Sequence, residues 1–253
     1  MTMRWMLLPA AVALSVSGGQ PSPAPALVPV VVELFTSEGC SSCPPADALL
    51  SRLSKEQPVP GAQIIPLGMH VTYWDSLGWK DPASLQSATD RQQHYGAQWG
   101  TDRIYTPQAV VDGREELVAS DEAGLKRAIS RAARQPHARV AFTAAIEEDW
   151  IVTTLTVSDA PPDVKEPLDV AIFVTEDRVT SVVKRGENGG RTLRHDAVVR
   201  LARVEDREPG ARPVKLSIRD LRPEWARANL NAVAVLYGRK SRRIYGAALA
   251  PLK

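Results

Sequence analysis

Two textures of apolar residues divide this chain. In the first half, compact apolar runs alternate with stretches of helical spacing. Val28-Pro29-Val30-Val31-Val32-Glu33-Leu34-Phe35 is nearly continuous and β-branched, the pattern of a strand buried on both faces. Thr36 to Gly39 turns, and Ala46 to Leu53 then carries apolar positions at helical spacing. Ile64 to Val71 is a second strand, in which Pro66 predicts an edge or a bulge. Ser84 to Tyr95 predicts a second helix. Thr106 to Val111 predicts a third strand, turned by the hairpin pair Asp112-Gly113 into a fourth over Glu116 to Ala119. Ser120 or Asp121 caps a third helix ending near Arg134. The predicted order is β-α-β-α-β-β-α.

From about residue 138 the helical spacing disappears. Val140–Ile146, Ile151–Val157, Leu168–Thr175, Ala197–Val204, Val214–Ile218, Ala232–Tyr237 and Arg243–Leu249 predict strands separated by Gly, Pro and Asp turns. Many short strands of this kind predict an all-β, sandwich-like domain. The expected organisation is a leader and tether over 1–26, an α/β domain over 27–136 and a β-sandwich-like domain over 137–253. Arg4 and the apolar core Trp5 to Val16 form a secretory signal pattern. Candidate cleavage regions lie at Ser17-Gly18-Gly19 and Ala24-Pro25-Ala26, and Pro21 to Pro25 reads as a tether. A periplasmic or secreted location is therefore expected.

Composition narrows the function classes. A formal charge of +2 gives no electrostatic case for nucleic acid. Nothing after the N-terminus approaches the roughly 20 apolar residues of a membrane span. The chain has two cysteines, in Cys40-Ser41-Ser42-Cys43, between the first predicted strand and the first helix. A thiolate there is stabilised by free backbone N–H groups and the helix dipole. Cys40, nearer the exposed start of the helix, is the expected nucleophile, and Cys43 the resolving partner. Two other readings stay open. A static disulfide would close a very short loop, for which the entropic gain is small. Two thiolates alone fall short of the four ligands of structural zinc, so no metal site is assigned.

The predicted order, Cys40-Ser41-Ser42-Cys43, and Thr106-Pro107 opening the third strand together resemble the thioredoxin superfamily over about residues 28–135. The resemblance implies a cis Pro107 facing the dithiol, and a Thr106 backbone offered to a bound peptide. It also implies thiol-disulfide exchange without a dissociable cofactor, with protein thiols or disulfides of exported proteins as partners. Glu33, an acid inside a buried run, matches the place where such proteins keep a proton-shuttling carboxylate, although seven residues from Cys40 is one more than usual. A solvent-facing edge is the other reading of Glu33. Four blocks resemble an exported bacterial family of uncharacterised function, the domain of unknown function twelve-twenty-three. They are Glu33 to Asp47, Tyr73 to Pro82, Tyr105-Thr106-Pro107-Gln108, and Arg185-Gly186-Glu187-Asn188-Gly189.

Three further features carry paired readings. Tyr73, Trp74, Asp75 and Trp79 either pack their loop down or shape a partner groove beside Cys40. His70 with both sulfurs allows a copper reading, whereas His94, His137 and His195 form no ligand spacing. Lys184 to Arg191 is either a tight turn of the sandwich or a loop reaching the dithiol. The alternative function is a non-catalytic binding module, or a copper-handling protein, whose cysteines are structural or metal-holding.

Overall fold

The computed structural model describes residues 26–205, 214–217 and 221–252. The expected leader, and the tether but for Ala26, lie outside the described residues. The first half follows the predicted order: β1 (Val28–Thr36), α1 (Pro44–Glu56), β2 (Ala62–His70), α2 (Gln86–Gln98), β3 (Gln108–Val111), β4 (Glu115–Val118) and α3 (Glu122–Ala132). Pro44 and Pro45 open α1, where a missing N–H costs nothing. The Asp121 carboxylate caps α3 by accepting from the Gly124 N–H at 2.9 Å. Asp112 and Gly113 both take positive φ in the β3–β4 turn. A Cβ at Gly113 would lie 2.1 Å from the Arg242 carbonyl oxygen, so close backbone approach also requires glycine there.

The second half contributes β5 (Arg139–Glu147), β6 (Trp150–Ser158), β7 (Leu168–Glu176), β8 (Val179–Val182), β9 (Thr192–His195), β10 (Val198–Glu205), β11 (Val214–Ser217), β12 (Leu230–Gly238) and β13 (Ile244–Pro251). Seven of these fall where the apolar runs predicted strands. The short pair β8–β9, antiparallel from Val179↔His195 to Val182↔Thr192, was not anticipated.

The fold is mixed α/β, built on one large mixed sheet. Eight strands run in the order β13-β12-β7-β10-β2-β1-β3-β4. The sheet is continuous across the boundary expected near residue 136, because β10 pairs parallel to β2 at Val198↔Gly68. The Gly68 N–H donates to the Ala197 carbonyl at 2.8 Å. This puts β2 inside the sheet. Pro66 nonetheless has the edge-like place its missing N–H demands, since β10 does not reach that part of β2.

Alternation along β1 creates two cores. Val30, Val32 and Leu34 pack with α1 and α3 residues such as Leu50, Leu53 and Ile129. Val31 and Phe35 face the other way, against Tyr95 of α2 and Phe173, Val235 and Tyr237 of β7 and β12. A third core lies between β7 and β12 and the three-stranded sheet β11-β6-β5. Sandwich-like packing is thus confined to this region, while β7, β10, β12 and β13 extend the main sheet.

Candidate functional site

Cys40 and Cys43 form a disulfide at the turn between β1 and α1. The helix begins one residue after Cys43, which is its N-cap; Cys40 belongs to the preceding turn rather than to the helix start. The Cys43 N–H donates to the Cys40 carbonyl at 3.2 Å, and the Ala46 and Asp47 N–H groups donate to the Cys43 carbonyl at 2.9 and 3.1 Å. Cys43 therefore sits nearest the helix N-terminus. Ser42 Oγ lies 3.3 Å from Cys40 Sγ.

Both sulfurs are covered: Cys40 is 1 % exposed and Cys43 0 %. Part of the cover is the loop between β8 and β9. The buried Asn188 amide donates to the Glu38 carbonyl at 2.8 Å and to the Cys40 carbonyl at 2.9 Å. The Glu187 carboxylate accepts from the Ser41 N–H at 3.0 Å. Arg191 donates to Asn188 Oδ1 at 2.7 Å. Of the two readings of residues 184–191, the structure has the loop reaching the dithiol. The same loop also packs on the aromatic loop, where a Cβ at Gly78 would lie 3.3 Å from Gly186 Cα and both glycines take positive φ.

The Thr106–Pro107 peptide is cis. Trp74 ties this segment to the cysteine turn: its indole N–H donates to Thr106 Oγ1 at 2.8 Å, and its Cβ would lie 3.2 Å from a Cβ at Gly39. Trp79 donates to Glu38 Oε2 at 2.7 Å, and Asp75 accepts from Ser84 Oγ at 2.7 Å. The aromatic loop is thus packed on its own scaffold, and its rings wall the cysteine turn.

Glu33 is fully buried on the α2 face of β1. It is paired with Arg91 Nε, accepts from Arg91 Nη2 at 3.2 Å, and accepts from the Tyr95 hydroxyl at 2.5 Å. Period-two alternation turns it away from the α1 face on which Thr36 lies. The structure brings Cys40, Cys43, Thr106 and Pro107 to one end of the sheet and commits Glu33 to an ion pair elsewhere.

Three further acids are buried around the cysteine turn, and nothing in their sequence spacing marks them. Asp47 lies one helical turn after Cys43 and is buried; Asp81 and Glu38 are buried with it. Burial pushes the Asp47 carboxyl up, against the opposing pull of His195 and His70. Asp81 accepts from the Glu38 and Ala83 N–H groups, both at 2.8 Å, and its Oδ2 lies 2.7 Å from His70 Nδ1. The four acids all stand inside family-like blocks, but only tertiary contacts distinguish Asp47 from Glu33. Among the described residues no group of three or more His, Cys, Asp or Glu side chains is disposed to hold a metal ion.

The His70–Asp81 pair makes stability pH-dependent. Burial alone would raise the Asp81 carboxyl, but the His70 charge and hydrogen bonds hold it at about 2, below its ordinary 3.8. Burial likewise opposes a charged His70, yet Asp81 lifts its pKa above 6.5. The Asp81 contribution is full above its unfolded value and is lost as pH falls towards 2. The His70 contribution is full below 6.5 and is lost as pH rises through its folded value. The pair therefore stabilises the protein most between about pH 4 and 6.5, by roughly 2 kcal/mol. Urea midpoints measured across pH should peak in that window, and His70→Asn should shrink the decline on the alkaline side, leaving the part due to His137, which Asp112 likewise lifts above 6.5.

No helix among the described residues is long and apolar enough to cross a membrane. The chain is similar to protein AGR_C_4864 from Agrobacterium tumefaciens, with 25 % identity and a TM-score of 0.63, covering 88 % of this chain and 94 % of that one. It shares a fold with HBP35 of Porphyromonas gingivalis, with 16 % identity and a TM-score of 0.66, covering 90 % of this chain and 76 % of that one. No curated protein matches. The model of a family described as protein of unknown function (DUF1223) matches residues 31–236, which include the cysteine turn, the aromatic loop, Thr106-Pro107 and the Asn188 loop. The chain belongs to that family.

Proposed function

We propose that this protein is an exported thiol-disulfide oxidoreductase of thioredoxin-like design, acting on the thiols or disulfides of exported proteins. The observation that carries this reading is the Cys40–Cys43 disulfide at the first strand-helix junction, with a buried acid, Asp47, one helical turn beyond Cys43. The cis Thr106–Pro107 peptide and the β-α-β-α-β-β-α order support it. Cys40 attacks a partner disulfide, Cys43 closes the protein disulfide and the partner leaves reduced; the reverse sequence oxidises a partner dithiol. Asp47 supplies the base for Cys43, the role assigned to Glu33 from sequence. No dissociable cofactor is required. The leader pattern at the N-terminus supports a periplasmic or secreted location.

The burial of both sulfurs favours a second reading: a binding module of the same fold with a structural disulfide. One measurement separates them. The reduction potential of the pair is determined in a glutathione buffer, with Cys43→Ser used to trap mixed disulfides on Cys40. Exchange with a potential between roughly −120 and −270 mV supports the oxidoreductase; a value below about −300 mV, or no native-state exchange, supports the binding module.

A further inference from the structure

His195, at the end of β9, enters the cysteine site from the second half of the chain and is 4 % exposed. Neither ring nitrogen has a hydrogen-bond partner. Each faces a carboxylate instead: Nδ1 lies 3.6 Å from Asp47 Oδ2, and Nε2 lies 3.6 Å from Glu38 Oε1. Asp47 Oδ2 is itself without a hydrogen bond. A shift of about 0.6 Å brings either contact to hydrogen-bond distance. The His70 ring packs edge-on to His195 at 5.0 Å between centroids and is held by Asp81.

Glu38 has a second neighbour. It lines a partly open cavity of about 310 Å³, with Pro82, Ala83, Arg178, Thr180 and Ser181 among the walls. Ser181 Oγ donates to Glu38 Oε2 at 3.0 Å. A buried imidazole with both nitrogens uncommitted, set between a buried acid and an acid that borders a cavity, is the arrangement a proton carrier needs. Burying it without hydrogen bonds costs stability, which a purely packing role would not require.

We propose that His195 is a positioning residue that relays protons between Asp47 and Glu38, and so connects the covered disulfide to the cavity. The relay rests on the exchange reading above and deepens it. When a partner disulfide is reduced, Cys40 thiolate attacks one partner sulfur and the other leaves as a thiolate. Cys43 gives its proton to Asp47, and its thiolate attacks Cys40 Sγ. The bond between Cys40 and the partner breaks, the second partner sulfur departs as a thiolate, and the protein disulfide forms. Two electrons have passed from the protein sulfurs to the partner disulfide. Asp47 passes its proton to His195 Nδ1, His195 releases the Nε2 proton to Glu38, and Glu38 releases it to the cavity. The ring is left in the other tautomer. Reduction of the protein disulfide returns a proton inward along the same path and resets it. The groups facing this ring are Glu38 from the cysteine turn, Asp47 from α1, and His70 from β2 with Asp81 behind it.

The test is the rate at which reduced glutathione opens the Cys40–Cys43 disulfide, and the rate at which oxidised glutathione restores it. Both are followed by acid quench, alkylation and mass measurement. His195→Gln should slow both directions by about 10²-fold, since relayed proton transfer is a general acid–base effect, and should leave the reduction potential unchanged. His195→Ala should slow likewise and be rescued by added imidazole. Glu38→Gln, which preserves acceptors for Trp79 and Ser181, should slow exchange without moving the potential, and serves if the His195 variants do not fold. Wild-type exchange with unaltered rates in the variants overturns the relay alone. So does slowing in which the potential moves with the rate and imidazole has no effect. A wild-type disulfide that glutathione does not open overturns the exchange reading, and the relay with it.

Discussion

Arg91→Ala is expected to destabilise the protein by about 3–5 kcal/mol, the cost of leaving a buried charge without its partner. Glu33 is fully buried, and Arg91 supplies two of its contacts. The remaining one, from the Tyr95 hydroxyl, is neutral and cannot balance a carboxylate. The guanidinium also stacks 5.4–5.5 Å from the rings of Tyr95, Phe173 and Tyr237, so its loss opens the core between α2 and the sheet. Two effects compete. Exposure of Glu33 to its desolvation cost drives the loss, while a cavity of about 240 Å³ beside Arg91 admits water and moderates it. Desolvation wins because no exposed surface of Glu33 adjoins that cavity. Urea denaturation checks the value, and Glu33→Gln in the Arg91→Ala background should recover part of it by removing the charge. A loss below about 1 kcal/mol would show that the pair resembles a surface ion pair in energy.

Asn188→Ala should weaken the cover over Cys40. The side chain makes two buried donor contacts to backbone carbonyls and accepts from the exposed Arg191. Each buried partner left unsatisfied costs about 1–3 kcal/mol. Unlike the Glu33 pair, this cost falls on the loop between β8 and β9, whose other tie to the cysteine turn, Glu187 to Ser41, is solvent-exposed. Local opening is therefore favoured over global unfolding. Each 1.4 kcal/mol raises the open population about tenfold, and alkylation of reduced Cys40 should quicken accordingly. An unchanged alkylation rate with a lowered global stability would show that the loop braces the fold without controlling access.

These expectations depend on contacts that differ in how far the sequence announces them. Local signals were legible. The unbroken run over Val30–Phe35, Pro44-Pro45 before a helical stretch, and Asp112-Gly113 between two strands each encode a backbone preference within a few residues. The matching elements appear within three residues of their expected ends. The cysteine turn was legible for the same reason, although Cys43 and not Cys40 holds the N-cap. The β8–β9 pair is not legible because its strands are four residues each and their sequences, Val-Thr-Ser-Val and Thr-Leu-Arg-His, carry no apolar alternation, although burial alternates along both in the fold.

The site is harder to read. Glu33 and Asp47 are both acids within apolar or helical stretches near the cysteines. Which one adjoins the disulfide depends on the face of β1 that α1 covers, and strand alternation assigns Glu33 to the other face. His195, Asn188 and Glu38 stand about 150 residues apart in two groups, with no spacing rule to connect them. His195 has no ligand spacing to the other histidines, and nothing in its sequence neighbourhood marks it.

The sequence by itself determined the elements of the first half, the place of the Cys40–Cys43 turn between β1 and α1, and the strand-rich character of the second half. Backbone preference and hydrophobic period act over short range, and a single chain states them directly. Only the tertiary structure decided that β10 joins β2, making one sheet where two domains were expected. It also decided that Asn188 closes over Cys40 and that His195 lies between Asp47 and Glu38. Strand pairing and side-chain contact across long separations depend on which faces remain to be buried once the local elements have formed, and that competition is settled only when the whole chain packs.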